Sequence, residues 1–274
     1  MEVRNGSVHL RWGSGTDIGR KRRTNQDALL ATAPLFIVAD GMGGHAAGEV
    51  AAQLTVEAFA LLLDEPAIAV RDLVAAARRA NDAILGDVFL RPERAGMGTT
   101  VTGFSVGVGP GGAYAAVLNV GDSRTYLWRE GELQPLTVDH SVVQELIDAG
   151  EISEHEVPTH PQRHVVTRVL GSRGEVEVDT SAVPLYVGDR LLVCSDGLTS
   201  VVAPQQIEAS LGQLATPEAI VQLLIDLALQ AGAPDNVTAI VVDILDAPTG
   251  PAEPLDEADT LPGDRVSSLL PQGR

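Results

Sequence analysis

The chain has little from which to build a cross-linked, membrane-spanning or nucleic-acid-binding protein. Its single cysteine, Cys194, cannot form an internal disulfide framework, which fits a reducing compartment. Phe, Trp and Tyr together supply only 3% of residues, so a core must be aliphatic. No apolar run approaches the ~20 residues of a membrane helix, because Asp, Glu or Gly breaks the longest ones. The opening MEVRNGSVHLRWG lacks the apolar stretch of about 7–15 residues of a secretory signal. Cations are scarce, with 19 Lys and Arg against 37 Asp and Glu and a formal net charge of −18. That excludes the dense basic surface that releases counterions from DNA or RNA. Arg20-Lys21-Arg22-Arg23 is too short a run to change this. The expectation is a soluble, cytoplasmic monomer with neither a membrane nor a nucleic-acid partner.

Aliphatic residues, by contrast, are abundant, with hydrophobic residues at 45% of the 274, enough for a large core. Asp27–Val38 reads as two short strands hinged at Pro34. Ala46–Asp64 shows helical spacing of Val50, Leu54, Ala58, Leu61 and Leu62, and Ile68–Phe89 places Leu73, Ala76, Ala77, Ala80 and Ile84 on one face. Strand-like runs follow at Met97–Val108, Ala113–Val120, Thr125–Arg129 and Leu133–Thr137, joined by Gly-rich turns. His140–Gly171 is polar and aperiodic, and reads as short helices on the side of the body. Strands return at Val176–Pro184 and Asp189–Ser195, then helices near Pro204–Leu211 and Thr216–Gln230, then a last strand at Asn236–Leu245.

Strands followed by helix pairs predict an α+β fold, a two-sheet antiparallel sandwich with helices on both outer faces. The folded domain is expected to span residues 1–246. Residues 247–274, with Pro248, Pro251, Pro254, Pro262 and Pro271, are expected to form a disordered acidic tail.

Aspartate recurs at the ends of the apolar strands. Leu35-Phe-Ile-Val-Ala delivers Asp40, Leu191-Leu-Val-Cys-Ser delivers Asp196, and Ala115-Ala-Val-Leu-Asn-Val-Gly delivers Asp122. Asp235 directly precedes Asn236-Val-Thr-Ala-Ile-Val-Val. A lone Asp-Gly is an ordinary turn signal. Four acids at strand rims can meet on one edge of a sandwich, where their charges would repel. A hard divalent cation removes the repulsion, and an all-oxygen donor set suits Mg²⁺ or Mn²⁺ rather than zinc or copper.

The motifs Arg22-Arg-Thr-Asn-Gln-Asp27, Val38-Ala-Asp-Gly-Met-Gly-Gly-His45, Gly96-Met-Gly-Thr-Thr100, Asn119-Val-Gly-Asp-Ser-Arg124, Cys194-Ser-Asp-Gly-Leu198 and Ala233-Pro-Asp-Asn-Val-Thr238 occur in this order. In sequence and spacing, from about Thr16 to Asp243, the chain resembles the bacterial PP2C-like (PPM) metal-dependent protein serine/threonine phosphatases. The resemblance implies that Asp40 bridges two ions, Mn²⁺ or Mg²⁺, and that the Gly41 carbonyl binds one of them. It gives Asp196 and Asp235 to the other ion, Asp27 to the site through bound water, and Arg22 to the substrate phosphate. Asp122 with Asp196 would hold a third ion, and residues 140–171 would be a flap beside the site. Two such metals activate a water for in-line attack on phosphorus.

Two positions depart from part of the family. Met42 stands where many eukaryotic members carry a histidine proposed as the general acid, and Gln26 where Glu often precedes the aspartate. The implied substrates are phosphorylated serine/threonine proteins, including kinases. A catalytically silent metal- or partner-binding module is an alternative, as is a partner-switching phosphatase dedicated to one small phosphoprotein. Cys194 reads as a core residue, because position 200 is Ser200 where a cysteine-dependent phosphatase needs arginine.

Overall fold

The computed structural model describes residues 1–5, 7–44, 47–65 and 67–249. Two antiparallel sheets stack face to face. One has the order β1 (Glu2–Asn5), β2 (Val8–Asp17), β12 (Val237–Asp246), β11 (Arg190–Cys194), β8 (Arg124–Arg129) and β9 (Glu132–Pro135). The other runs β10 (Asp179–Pro184), β7 (Gly112–Val120), β6 (Val101–Gly109), β4 (Leu35–Met42) and β3 (Asp27–Thr32), with β5 (Gly98–Thr99) paired to the end of β4. Helices α1 (Ala47–Ala60) and α2 (Val70–Leu90) cover the second sheet, and α5 (Pro204–Leu211) and α6 (Pro217–Gln230) cover the first. The expected four-layer sandwich is the fold. Two short helices complete it, α3 (Val142–Asp148) in the 140–171 segment and α4 (Asp196–Thr199) directly after β11.

The continuous apolar runs now have a cause. Along β4, Phe36 and Val38 face the other sheet while Leu35 and Ile37 face the helices. Along β12, Ile240 and Val242 face inward while Ala239 and Val241 meet α6. A strand buried on both faces has no polar alternation to show. The few aromatics concentrate between the sheets, where Phe36 packs 5.2 Å from Phe104 and 5.6 Å from Trp12 between ring centroids. The Trp12 indole N–H donates to the Ala31 carbonyl at 2.9 Å. Burying such side chains contributes roughly 1.5–3 kcal/mol each before entropy is counted.

Several boundaries differ from the sequence reading. The N-terminal strands β1 and β2 were not expected, although Val8, Leu10 and Trp12 alternate and are all buried. Of the five positions assigned to the buried face of α1, Leu61 is 62% exposed. There the α-helix has already passed into a short 3₁₀ turn at Leu61–Asp64, which rotates the side chain outward. The other four expected positions hold: Ala58 and Leu62 are buried and Val50 and Leu54 pack against the same core, joined by Ala51 and Phe59. The α2 face is as expected, with Leu73, Ala76, Ala77, Ala80 and Ile84 fully buried. Pro217 opens α6 behind the Thr216 hydroxyl, which accepts from Ala219 N–H, a proline-plus-cap start. Residues 247–249 were expected within the tail, yet the Pro248 carbonyl accepts from Ala113 N–H at 3.1 Å and Thr249 bridges to Gly112. The rest of the expected tail, 250–274, lies outside the described residues. Among the described residues no helix is long and apolar enough to cross a membrane.

Candidate metal centre

Antiparallel pairing brings the aspartates to one edge. Asp27 at the start of β3 is the register partner of Asp40 near the end of β4. Cys194 pairs with both Ala239 and Arg124, so the end of β11, the start of β12 and the start of β8 share that edge. Asp196, Asp235 and Asp122 follow or precede these strand ends directly.

Asp27 Oδ2 accepts from Thr238 Oγ1 at 2.6 Å and from Ser195 Oγ at 2.8 Å, both from the opposite sheet. Thr238 Oγ1 in turn shares a hydrogen bond of 2.7 Å with Thr16 Oγ1, which accepts from Asn25 Nδ2. The Asp40 backbone is clamped by Thr100, whose N–H donates to the Asp40 carbonyl at 2.9 Å and whose Oγ1 accepts the Asp40 N–H at 3.1 Å. Thr99 Oγ1 donates to the same carbonyl at 2.9 Å.

Gly41 is required by packing as well as by any metal. A Cβ there would lie 2.1 Å from the Gly48 carbonyl oxygen and 2.6 Å from that of Gln26. The Asn236 side chain accepts Gln26 N–H and donates to the Ile18 and Thr24 carbonyls. It thereby pins the loop that carries Arg22. Arg22 Nη2 donates to Asp235 Oδ2 at 2.6 Å, and half of its side chain is exposed.

The electrostatics are those of a cluster short of positive charge. Burial, followed by the Asp27, Asp196, Asp122 and Asp235 charges, holds the Asp40 carboxyl well above its ordinary range. Burial, partly offset by the Thr238 and Ser195 hydroxyls, raises Asp27 to about 6. Burial and the neighbouring Asp196 and Asp139 raise Asp122 to about 7. Asp196 is raised by burial and by Asp235, against a hydrogen bond with Asp40 and the positive influence of His164 and Arg124. Carboxylates gathered this way ionise together only beside a cation.

Among the described residues no three acidic, histidine or cysteine side chains converge as a finished cage. The cluster still fits Mg²⁺ or Mn²⁺, because such hard ions take oxygen donors and keep several waters, and the aspartates and the Gly41 carbonyl offer only oxygen. Cys194 is buried, with its thiol pushed up to about 12 by desolvation, so it is no nucleophile.

All the aspartates and Arg22 expected from the sequence reach this edge. Sequence reasoning missed the supports: Ser195, Thr238, Thr99, Thr100 and Asn236. All five lie inside the quoted motifs; Ser195, Asn236 and Thr238 each carry a hydroxyl or amide within three positions of a candidate aspartate, whereas Thr99 and Thr100 stand 59 and 60 residues from Asp40 and gave no such signal.

A family model described as protein phosphatase 2C matches residues 14–246. The serine/threonine protein phosphatase PstP of Mycobacterium tuberculosis is 41% identical over 264 residues, 96% of this chain and 50% of that protein. The chain thus spans about half the length of that relative. The serine/threonine phosphatase stp of Listeria monocytogenes is 36% identical over 239 residues, 83% of this chain and 93% of that protein. A crystal structure of the PstP catalytic domain in complex with two manganese ions superposes with a TM-score of 0.80 at 41% identity, covering 87% of this chain and 99% of that one. With the family model running from within β2 through β12 and including every aspartate of the cluster, this chain belongs to the protein phosphatase 2C family.

Proposed function

We infer that this chain hydrolyses phosphoserine and phosphothreonine in proteins, using a water activated by Mn²⁺ or Mg²⁺. The observation that carries the reading is the meeting of five aspartates, with an arginine beside them, at one sheet edge. In this reading Asp40, the Gly41 carbonyl, Asp196 and Asp235 would hold two ions, and Asp27 would act through water. Asp122 with Asp196 would hold a third. When bound, the ions supply the acidity that makes water a nucleophile near neutral pH and the charge that the phosphoryl group needs.

The chain's own side chains do the rest. Arg22 offers a planar fork to two phosphate oxygens, and its contact with Asp235 holds it beside the cluster. Ser195 and Thr238 orient Asp27, and Thr99 and Thr100 fix the Asp40 peptide. In-line transfer needs mainly such positioning and charge. Met42 has no proton to give, so the leaving seryl or threonyl oxygen takes its proton from another donor. The phosphatase domain is residues 1–246, with 140–171 as a flap, and its setting is a cytoplasmic monomer opposing serine/threonine kinases. A silent binding module would not need every carboxylate of the set, and none is replaced.

The test is hydrolysis of a phosphothreonine peptide with added Mn²⁺ and with EDTA, for the wild type and for Asp40→Asn and Asp196→Asn. Turnover should require Mn²⁺ and fall to background in both variants while they remain folded. Normal activity in either variant would overturn the assignment.

A further inference from the structure

His140 is a buried imidazole, 6% exposed, for which phosphate hydrolysis has no evident use. Its contacts are specific. Nδ1 accepts the Gly121 N–H at 3.0 Å, and the His140 backbone N–H donates to the Gly121 carbonyl at 2.9 Å. One residue therefore holds both polar groups of Gly121, which immediately precedes Asp122. With Nδ1 accepting, the proton of the neutral ring sits on Nε2. Nε2 faces Asp179 Oδ2 at 3.2 Å. Arg168 Nη1 donates to Asp179 at 2.9 Å and flanks the ring at 3.4 Å. Asp179 thus orients the ring, and the ring fixes the turn.

The turn needs such a clamp. Gly121 has φ +109°, a conformation with no side chain to lock it. From the other side it meets Thr100, and a Cβ on Gly121 would come within 2.5 Å of Thr100 Cγ2. Thr100 is the same residue that clamps Asp40 and shares a 2.8 Å hydrogen bond with Ser123. Asn119 Nδ2 adds a third contact, to the Gly121 carbonyl at 3.1 Å. The His140 carbonyl also accepts Thr167 N–H at 2.8 Å, so the returning limb of the 140–171 segment is seated on the residue that holds the Asp122 turn.

We propose that His140 is a positioning residue that aims the Asp122 carboxylate through Gly121, with Asp179 holding the imidazole in place. The proposal rests on the reading that Asp122 binds a metal ion. Partners one step behind a ligand orient it, and their loss weakens metal binding by about ten- to a hundredfold.

The experiment is Mn²⁺ calorimetry on the full chain for the wild type, Asp122→Ala, His140→Asn, His140→Leu and Asp179→Ala, with melting temperature recorded for each. Asn places an oxygen where Nδ1 stood and still accepts from Gly121, whereas Leu fills the volume with no acceptor. His140→Leu should weaken the loosest class of Mn²⁺ sites by about tenfold or more. His140→Asn should stay within a few-fold of wild type. Asp179→Ala, on an edge strand with its side chain half exposed, should shift binding the same way by a smaller factor. If His140→Leu does not fold, Asp179→Ala decides, and a wild-type isotherm there overturns the proposal. So does His140→Leu binding as wild type, or His140→Asn falling as far as His140→Leu. If Asp122→Ala itself binds Mn²⁺ as wild type does, the metal reading at Asp122 is wrong and the proposal falls with it. Loss in Asp122→Ala with no change in the His140 and Asp179 variants refutes His140 alone.

Discussion

Metal binding to this cluster should expel protons, and the structure fixes roughly how many. Burial and neighbouring carboxylates raise Asp27 to about 6 and Asp122 to about 7. At pH 6.5 a group of the second kind is about three-quarters protonated and one of the first kind about one-quarter. An ion on Asp122, with Asp27 reached through bound water, favours both in ionised form. Loading with Mn²⁺ at pH 6.5 should therefore release about one proton from these two residues, and Asp40 is raised in the same direction by burial and its acidic neighbours. At pH 8 the contribution of the first two falls to about a tenth of a proton.

The assay is calorimetric titration in two buffers of different ionisation enthalpy, in which the difference in heat counts the protons. Stability follows the same linkage. Both folded pKa values lie above the ordinary carboxyl value of about 3.9, so the chelated folded state binds more protons than the unfolded chain. Its stability from these groups is present at the acid end and lost as pH rises through about 6 to 7. In EDTA the melting temperature should fall between pH 5.5 and 7.5, and saturating Mn²⁺ should flatten that slope. Equal heats in both buffers at pH 6.5 would mean that the carboxylates are already ionised without metal, and the account of mutual repulsion would be refuted.

Two further outcomes come from the supports. Arg22→Ala should raise KM for a phosphopeptide more than it lowers kcat, the outcome expected of a fork proposed to bind ground state and transition state alike; an unchanged KM would move phosphate binding to Lys21 or Arg23. Thr238→Val removes one of two hydroxyl donors to Asp27, a charged hydrogen bond of roughly 1.5–3 kcal/mol, so kcat should fall about tenfold or more while Thr238→Ser restores it. Equal loss in the Val and Ser variants would show that packing, not the hydroxyl, matters at this position.

The legible parts of the fold were those written in local patterns. The α2 face repeats every three to four residues from Leu73 to Ile84, and each of those side chains is buried. The β4 run Leu35–Ala39 is apolar throughout because sheet and helices cover its two sides. Leu61 misled because a helical period extrapolated past Ala60 does not register the change to a 3₁₀ turn. The strand at Val8–Asp17 went unread although Val8, Leu10 and Trp12 alternate with His9 and Arg11. Arg11 proves to bond Asp243, on the neighbouring strand β12.

By itself the sequence determined where strands stop and which residues stop them, since an aspartate ending an apolar run is a local event. Asp40, Asp122 and Asp196 were identifiable for that reason and Asp235 because it directly precedes such a run, whereas Asp27 and Arg22 were identifiable only through the motif that resembles the family's. Only the tertiary structure decided what holds them. Thr238 reaches Asp27 across 211 residues of chain and Arg22 reaches Asp235 across 213, while His140 finds Gly121 only once the 140–171 segment has folded back. Hydrogen bonds act over about 3 Å in space and carry no period along the chain, so the partners of a buried carboxylate are settled only when the two sheets close over it.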